Sequence, residues 1–249
     1  MKCSMYTSGI ANGFPIEDLK LSTPDKLIFS LYSGERKIHN RITRNRTSFE
    51  KTTESIRRSI DTGIVVELHC VITTINLNHL DSLMEFAEEV GINKVSFLRL
   101  VPQGRTNFRS TFLPDYRDYL KLRWIFLDLM NRYKPEIRLG SPFNILHING
   151  CTRCTSGDRM VINSQGVAFP CDALKGVKTL DPCNVKDHKL IKIMEENELF
   201  NIMRSKKTPP ACCSSSCEFK NTCAGGCMAQ RLYSYGIFGR DPACAKNYQ

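Results

Sequence analysis

Residues 64–72 read Ile64-Val65-Val66-Glu67-Leu68-His69-Cys70-Val71-Ile72. The stretch is rich in β-branched side chains and nearly continuously apolar, the pattern of a strand covered on both faces. Just upstream, a helix is predicted from about Thr47 to Asp61. Thr47 and Glu50 suit a capping box, Phe49, Ile56 and Ile60 recur at helical spacing, and Gly63 is placed to stop it. Downstream, Leu80, Leu83, Ala87 and Val90 mark a helix over about 79–90 that ends at Gly91. Lys94 to Val101 forms the next strand, closed by Pro102 and Gly104. Further out, Cys3 to Ile10 reads as a short strand entering a turn. Leu27 to Tyr32 reads as a second apolar strand, followed by a basic connection. Strand, helix, strand, helix, strand implies parallel βα units with right-handed crossovers. Four such strands make neither a closed barrel nor a comfortable doubly wound sheet. The first leaves an uncovered edge, so the chain reads as beginning in the middle of a fold.

Residues 114–133 carry a longer helical pattern with Trp124 and Leu127 among its apolar positions. Residues 135–150, with their Pro, Gly and Asn, connect it to a loop-rich part that starts at Cys151 and contains one helix at about 188–204. Such a part buries little apolar surface for its length, so bound metal would supply some of its stability. The organisation is an α/β sheet over 1–110, a helix and linker over 111–150, and a cysteine-rich domain over 151–249.

The 249 residues are 41% hydrophobic and 24% charged, a soluble globular composition. No apolar run approaches the roughly 18–20 residues of a membrane span, and the first residues lack a signal-type apolar segment. The expected location is the cytoplasm, with no membrane partner. The formal charge is +10, and eight basic residues between Arg36 and Arg58 face two acids, Glu50 and Glu54. No aromatic interleaving or nucleic-acid motif accompanies them, so a solvated helix face is the simpler reading than a nucleic-acid surface.

Cysteine is the anomaly. Of twelve, only Cys3 and Cys70 precede residue 150; ten fall between Cys151 and Cys244. Dense cysteine in a chain without an export signal points to metal or redox chemistry, not to disulfides. The order is Cys151-x2-Cys154, Cys171, Cys213-x3-Cys217-x5-Cys223-x3-Cys227 and Cys244. Between Cys154 and Cys171, residues 160–170 read as a β-hairpin turning at Asn163–Gly166, which brings its two cysteine ends together. Short Cys-x2-Cys and Cys-x3-Cys loops let two thiolates reach one centre, with distant cysteines completing four ligands. Spacing alone hardly separates iron–sulfur from structural zinc.

The stretch from about Cys154 to Cys244 resembles the SPASM domain of radical S-adenosylmethionine enzymes. Cys154, Gly166-x4-Cys171, Cys217-x5-Cys223-x3-Cys227 with Gly225-Gly226, and Cys244 match its pattern. One departure is Cys213-x3-Cys217 in place of Cys-x2-Cys, and Cys212 beside it is an alternative ligand. The resemblance implies two interleaved 4Fe-4S clusters. Cys151, Cys154, Cys171 and Cys227 would hold one, and Cys213, Cys217, Cys223 and Cys244 the other. Cys183 is left over as a free buried thiol. Upstream, Tyr6-Thr7-Ser8-Gly9, the strand ending Ser30-Leu31, His39 to Phe49 and Val101-Pro102-Gln103-Gly104-Arg105 resemble the later half of that family's partial (β/α) barrel. By that resemblance Ser30, with Arg41 or Arg44, approaches the polar end of S-adenosylmethionine. His39, His69, His79, His147 and His188 show no ligand spacing and read as structural or exposed.

The family's catalytic cluster sits on Cys-x3-Cys-x2-Cys, and that run is absent from these residues. The resemblance therefore implies the auxiliary-cluster part of an enzyme that modifies a peptide or protein. Its expected partners are a separately encoded N-terminal half and an electron donor protein. The alternatives from the sequence are a non-catalytic two-cluster electron-transfer or scaffold protein, and a zinc-stabilised binding module.

Overall fold

The computed structural model describes residues 2–10, 24–103, 111–148, 154–175, 183–205, 217, 223, 225–236 and 239–244. It divides into two compact units, residues 1–100 with 117–139, and residues 101–116 with 140–249.

The first unit is a parallel sheet of five strands in chain order: β1 (Ser4–Thr7), β2 (Lys26–Ser30), β3 (Val65–Ile72), β4 (Lys94–Arg99) and β5 (Glu136–Leu139). The helices between them are α1 (Arg36–Thr43), α2 (Ser48–Asp61), α3 (Leu80–Glu89) and α4 (Tyr116–Arg132). This is the α/β architecture of a partial parallel barrel. One face of the sheet, carrying Leu27, Phe29, Leu68, Cys70, Val95, Phe97 and Leu139, is at most 2% exposed and meets the helices. The Phe97 ring, for instance, lies 5.1 Å from that of Phe126 on α4. On β3, residues 66–70 are all buried, so the strand is covered on both faces as its composition predicts. The second face, however, is polar.

Several local expectations are corrected. The basic connection after β2 is helix α1, whose one fully buried side chain is His39. Its apolar face is only Ile38 and Ile42, one turn apart and half-buried, too short to announce a helix in so basic a stretch. The capping box at Thr47 does not form. Instead Asn45 Oδ1 accepts the Thr47 N–H at 3.0 Å, and Asn40 Oδ1 accepts the Phe49 N–H at 2.9 Å. Asn40 thereby joins α1 to the start of α2. A fifth strand, β5, lies inside the segment read as a connection, and a 3-10 turn (Ser141–Leu146) follows it. Trp124 is 70% exposed and faces away from the α4 core positions Leu122, Phe126 and Leu129.

Buried Asn76 closes the C-terminal ends of the strands. Its Nδ2 donates to the carbonyls of Tyr32 (2.9 Å) and Val71 (3.0 Å), while Oδ1 accepts the Thr73 N–H at 2.7 Å. The outer edge of β1 pairs with no strand among the described residues.

The second unit holds the expected hairpin, β6 (Val161–Ile162) against β7 (Ala168–Phe169). Asn163 Oδ1 accepts N–H groups from Gln165 and Val167, both at 2.9 Å, and Gly166 supplies a φ of 84°. The single helix read at 188–204 is two, α5 (Leu190–Glu196) and α6 (Glu198–Ser205). Asn197 separates them with extended backbone, and its Oδ1 accepts the Leu199 N–H at 3.1 Å. Helix α7 (Met228–Tyr235) starts directly after Cys227. Among the described residues no helix is long and apolar enough to cross a membrane.

Candidate functional sites

On the polar face of the sheet, the strand register aligns Ser30 on β2 with His69 on β3, His69 with Ser96 on β4, and Ser96 with Arg138 on β5. Four neighbouring strands thus contribute one continuous polar row. Beside it, Glu67 is 5% exposed and has three partners. Lys26 Nζ lies at 2.5 Å, Ser96 Oγ donates at 2.9 Å, and His69 Nε2 lies at 3.4 Å. Burial alone would raise the Glu67 carboxyl, but the hydrogen bonds from Lys26 and Ser96 outweigh it and hold the group below its ordinary value. His69 is shifted the opposite way. Burial lowers it, against the pull of Glu67, and the charges of Arg138 and Lys26 lower it further. The imidazole is therefore neutral near pH 7, with Nε2 as the nitrogen that can donate to the carboxylate. The Tyr6 ring stands edge-on to it, 5.4 Å between centroids.

Ser30 closes β2 in this row and is half-buried. Arg41 and Arg44 are exposed on α1, Arg44 as its left-handed cap with φ 55°. No hydrogen bond or ion pair joins either arginine to Ser30 among the described residues. What fixes the chain just after Ser30 is His39. Its Nδ1 accepts the Tyr32 N–H at 3.3 Å, and its ring lies between those of Tyr32 (5.5 Å) and Phe49 (5.9 Å). Burial lowers the His39 pKa to about 4, and its Nε2 is buried without a hydrogen-bond partner. Of the basic run, Arg36 pairs with Glu50 at 2.5 Å and Arg57 with Glu89 at 2.8 Å, both on the surface.

In the second unit, Gly157 N–H donates to the Pro170 carbonyl at 3.2 Å, bringing the chain after Cys154 alongside Cys171. Burial raises the Cys171 thiol, a backbone N–H at Ala173 lowers it, and Cys154 is close enough to act on it by charge. Cys227 is 9% exposed in an apolar cluster with Leu174, Leu199, Met203 and Met228, and Cys171 packs against the same cluster. A second pair is Cys223 and Cys244. Burial first, then the charges of Asp241 and Cys244, push the Cys223 thiol up to about 12, against N–H donation from Gly225 and Gly226. Both glycines are left-handed, with φ of 82° and 80°. A Cβ on Gly226 would collide with the Asp241 carboxylate. That carboxylate accepts N–H groups from Cys227 (2.8 Å) and Ala243 (2.9 Å), linking the Cys227 loop to the Cys244 loop.

Cys217 is half-buried, and Cys151, Cys212 and Cys213 lie outside the described residues. Among the described residues no three His, Cys, Asp or Glu side chains gather closely enough to hold a metal ion. The surroundings of the thiols suit iron–sulfur ligation in two respects, backbone N–H groups beside sulfur and an apolar shell. Cys183 stands apart, half-buried, with Asn197 Nδ2 donating to its sulfur at 3.1 Å.

Sequence reasoning missed Glu67, His69, Ser96 and Arg138. Glu67 and His69 share parity within an apolar run, which marks one polar face. Ser96 and Arg138 join them only through a register that the sequence does not print.

Known structures share this fold. Streptococcus suis SuiB bound to its precursor peptide SuiA aligns with 98% of this chain at a TM-score of 0.73 and 19% identity; the chain covers 59% of SuiB. Native anSMEcpe with bound AdoMet aligns with 98% of the chain at a TM-score of 0.74 and 18% identity, and 70% of it is covered. Among curated sequences, "Probable GTP 3',8-cyclase" of Saccharolobus islandicus (strain L.S.2.15 / Lassen #1) is 31% identical over 98 residues, 37% of this chain and 32% of the relative. The chain thus spans about a third of that curated relative. No protein-family model matches it.

Proposed function

We propose, from the resemblance of this chain to radical S-adenosylmethionine enzymes with a SPASM domain, that it is the auxiliary-cluster part of an enzyme modifying a peptide or protein in the cytoplasm. The observation that supports the proposal is backbone hydrogen bonding that sets two couples of cysteine segments side by side: Gly157 N–H on the Pro170 carbonyl for Cys154 and Cys171, and the Asp241 carboxylate between the Cys227 and Ala243 N–H groups for the Cys223–Cys227 turn and Cys244. Cys154 and Cys171 fall on one member of the interleaved assignment, Cys223 and Cys244 on the other. One 4Fe-4S cluster is assigned to Cys151, Cys154, Cys171 and Cys227, the other to Cys213, Cys217, Cys223 and Cys244, with Cys212 the alternative to Cys213. Bound clusters of this kind supply electron transfer and substrate docking. The protein's share is to hold sulfur as thiolate, to donate N–H groups from residues 173, 225 and 226, and to exclude water with Leu174, Leu199 and Met203. In the sheet unit, Ser30, Arg41 and Arg44 are proposed to meet the polar end of S-adenosylmethionine, and the polar face to meet substrate. The bound AdoMet of anSMEcpe and the bound peptide of SuiB support that direction.

Anaerobic reconstitution is expected to give about eight iron and eight acid-labile sulfide per chain. Stoichiometric zinc without visible absorption would sink the assignment. Cys223→Ala and Cys227→Ala, although four residues apart, should each remove a different cluster, leaving about half the iron. Loss of the same cluster in both would show the interleaving to be wrong. Side-by-side Cys212→Ala and Cys213→Ala variants should show which one ligates.

A second reading, a two-cluster electron-transfer or scaffold protein, is favoured by one observation: no Cys-x3-Cys-x2-Cys run occurs in these residues. On our reading that loop lies on a segment outside these residues, and an electron donor protein serves the assembly. The reduced, reconstituted chain should then form no 5′-deoxyadenosine from S-adenosylmethionine by itself, and should do so with the loop-bearing segment. If the added segment leaves it inactive, the scaffold reading gains.

A further inference from the structure

Among the described residues the polar face holds two carboxylates, and both are matched. Glu67 is engaged by Lys26, Ser96 and His69, and Glu136 lies 2.8 Å from Lys94 Nζ. Arg138 is different. It is half-buried at the end of the polar row, and among the described residues no hydrogen bond or ion pair reaches it. Its row neighbours are the Ser96 and Ser30 hydroxyls and the His69 ring, the last held neutral. A guanidinium partly withdrawn from water has lost hydration, and here no anion replaces it. The five N–H donors of that group form a planar fork that matches a carboxylate with two parallel hydrogen bonds.

We infer that Arg138 is an anion anchor, taking a carboxylate of the bound ligand at the end of the row Ser30, His69, Ser96, Arg138. Glu67 then has a positioning role. It ties up Lys26 and orients His69 and Ser96, leaving Arg138 as the cation with free donors. The inference rests on the reading above only in treating this face as the substrate side. The carboxylate we assign to Arg138 is an acidic side chain of a peptide substrate, because the polar end of S-adenosylmethionine is already given to Ser30 with Arg41 and Arg44; capture of the cofactor's own carboxylate is an outcome of the test.

The test uses the full chain with ¹⁵N-labelled arginine and follows the Arg138 Nε–H signal by NMR, which detects weak binding. One arm compares S-adenosylmethionine with 5′-methylthioadenosine, which lacks the carboxylate. The other compares an N-acetylated, C-amidated peptide bearing one glutamate with its glutamine counterpart. The glutamate peptide should shift the Arg138 signal while its glutamine counterpart does not; a shift with S-adenosylmethionine and not with the peptide would give the anchor to the cofactor and overturn the substrate assignment. Arg138→Gln should weaken binding of the glutamate peptide about tenfold or more, and Arg138→Lys should weaken it less. The inference is overturned if the glutamate peptide does not shift the signal, or if Arg138→Gln weakens the glutamate and glutamine peptides alike. Iron content measured on the same samples separates the two readings, because anchoring without clusters would leave this inference standing and remove the one above.

Discussion

Phe97 and Cys223 are both withdrawn from water, with opposite consequences. Burying Phe97 among Val95, Leu68 and Phe126 removes apolar surface from water and stabilises the sheet unit directly. Burying Cys223 beside Asp241 and Cys244 pushes its thiol up to about 12, so without a metal the sulfur stays protonated and contributes little. The first unit has an apolar helix-facing layer that needs nothing added. The second has short strands, two glycines in succession at φ near 80°, and small apolar clusters. What would make it rigid is ligation, which releases thiol protons as it proceeds.

Iron removal should test this contrast most severely. Structural metals supply on the order of 10 kcal/mol of folding free energy to the domains they hold. Anaerobic chelation should therefore open the cysteine-rich unit to proteases across residues 154–244, while a fragment containing β2 to β4 persists. Equal resistance of both units without iron would erase the distinction. From the other side, Phe97→Ala should cost the sheet about 3–5 kcal/mol, read by urea unfolding, without changing iron per folded chain. A parallel loss of iron would mean that the two units are one cooperative system.

A pH effect of intermediate size belongs to the sheet unit. His39 has its pKa lowered to about 4, so the folded chain resists a proton that the unfolded chain accepts below about pH 6.5. Stability should be complete above that value and fall by about 3 kcal/mol as the pH drops to 4. His39→Gln should flatten this part of the slope in urea titrations at pH 7 and 4.5; an unchanged slope would assign acid sensitivity to other groups. Smallest of all, Trp124→Ala should move stability by no more than about 0.5 kcal/mol, because its ring is 70% exposed. A larger loss, seen by the same unfolding assay, would mean that α4 has a partner on its outer side.

Reading order in the sequence follows how local each cause is. The hairpin at Asn163–Gly166 is dictated by its own residues and was legible. So was β3, whose β-branched run needs no neighbour to declare itself. Helix α1 was hidden because Arg-Lys-Ile-His-Asn-Arg-Ile-Thr offers only Ile38 and Ile42 as an apolar face, and its one fully buried ring is a histidine. β5 was hidden because four residues, Glu-Ile-Arg-Leu, become a strand only beside β4. The Thr47 cap differs for a similar reason: Asn45 accepts the Thr47 N–H that Glu50 would take in a capping box, and Asn40, on the preceding helix, accepts the Phe49 N–H. The candidate ligands divide in the same way. Cysteine spacing shows itself in one dimension, whereas the row through Ser30, His69, Ser96 and Arg138 exists only once four strands are in register.

Cys70 gives the chain a built-in stopwatch. Its sulfur is fully buried and its thiol is pushed well above the ordinary range by burial, with Asn76 Nδ2 at 3.4 Å. An alkylating reagent in solution can reach it only during moments when the sheet opens, so the rate at which Cys70 acquires an adduct counts those openings. Exposed Cys3, in the same molecule, reacts at the reagent's intrinsic speed and supplies the reference. The ratio of the two rates, read from a single mass spectrum series, measures how often this sheet comes apart under conditions where no denaturant has been added.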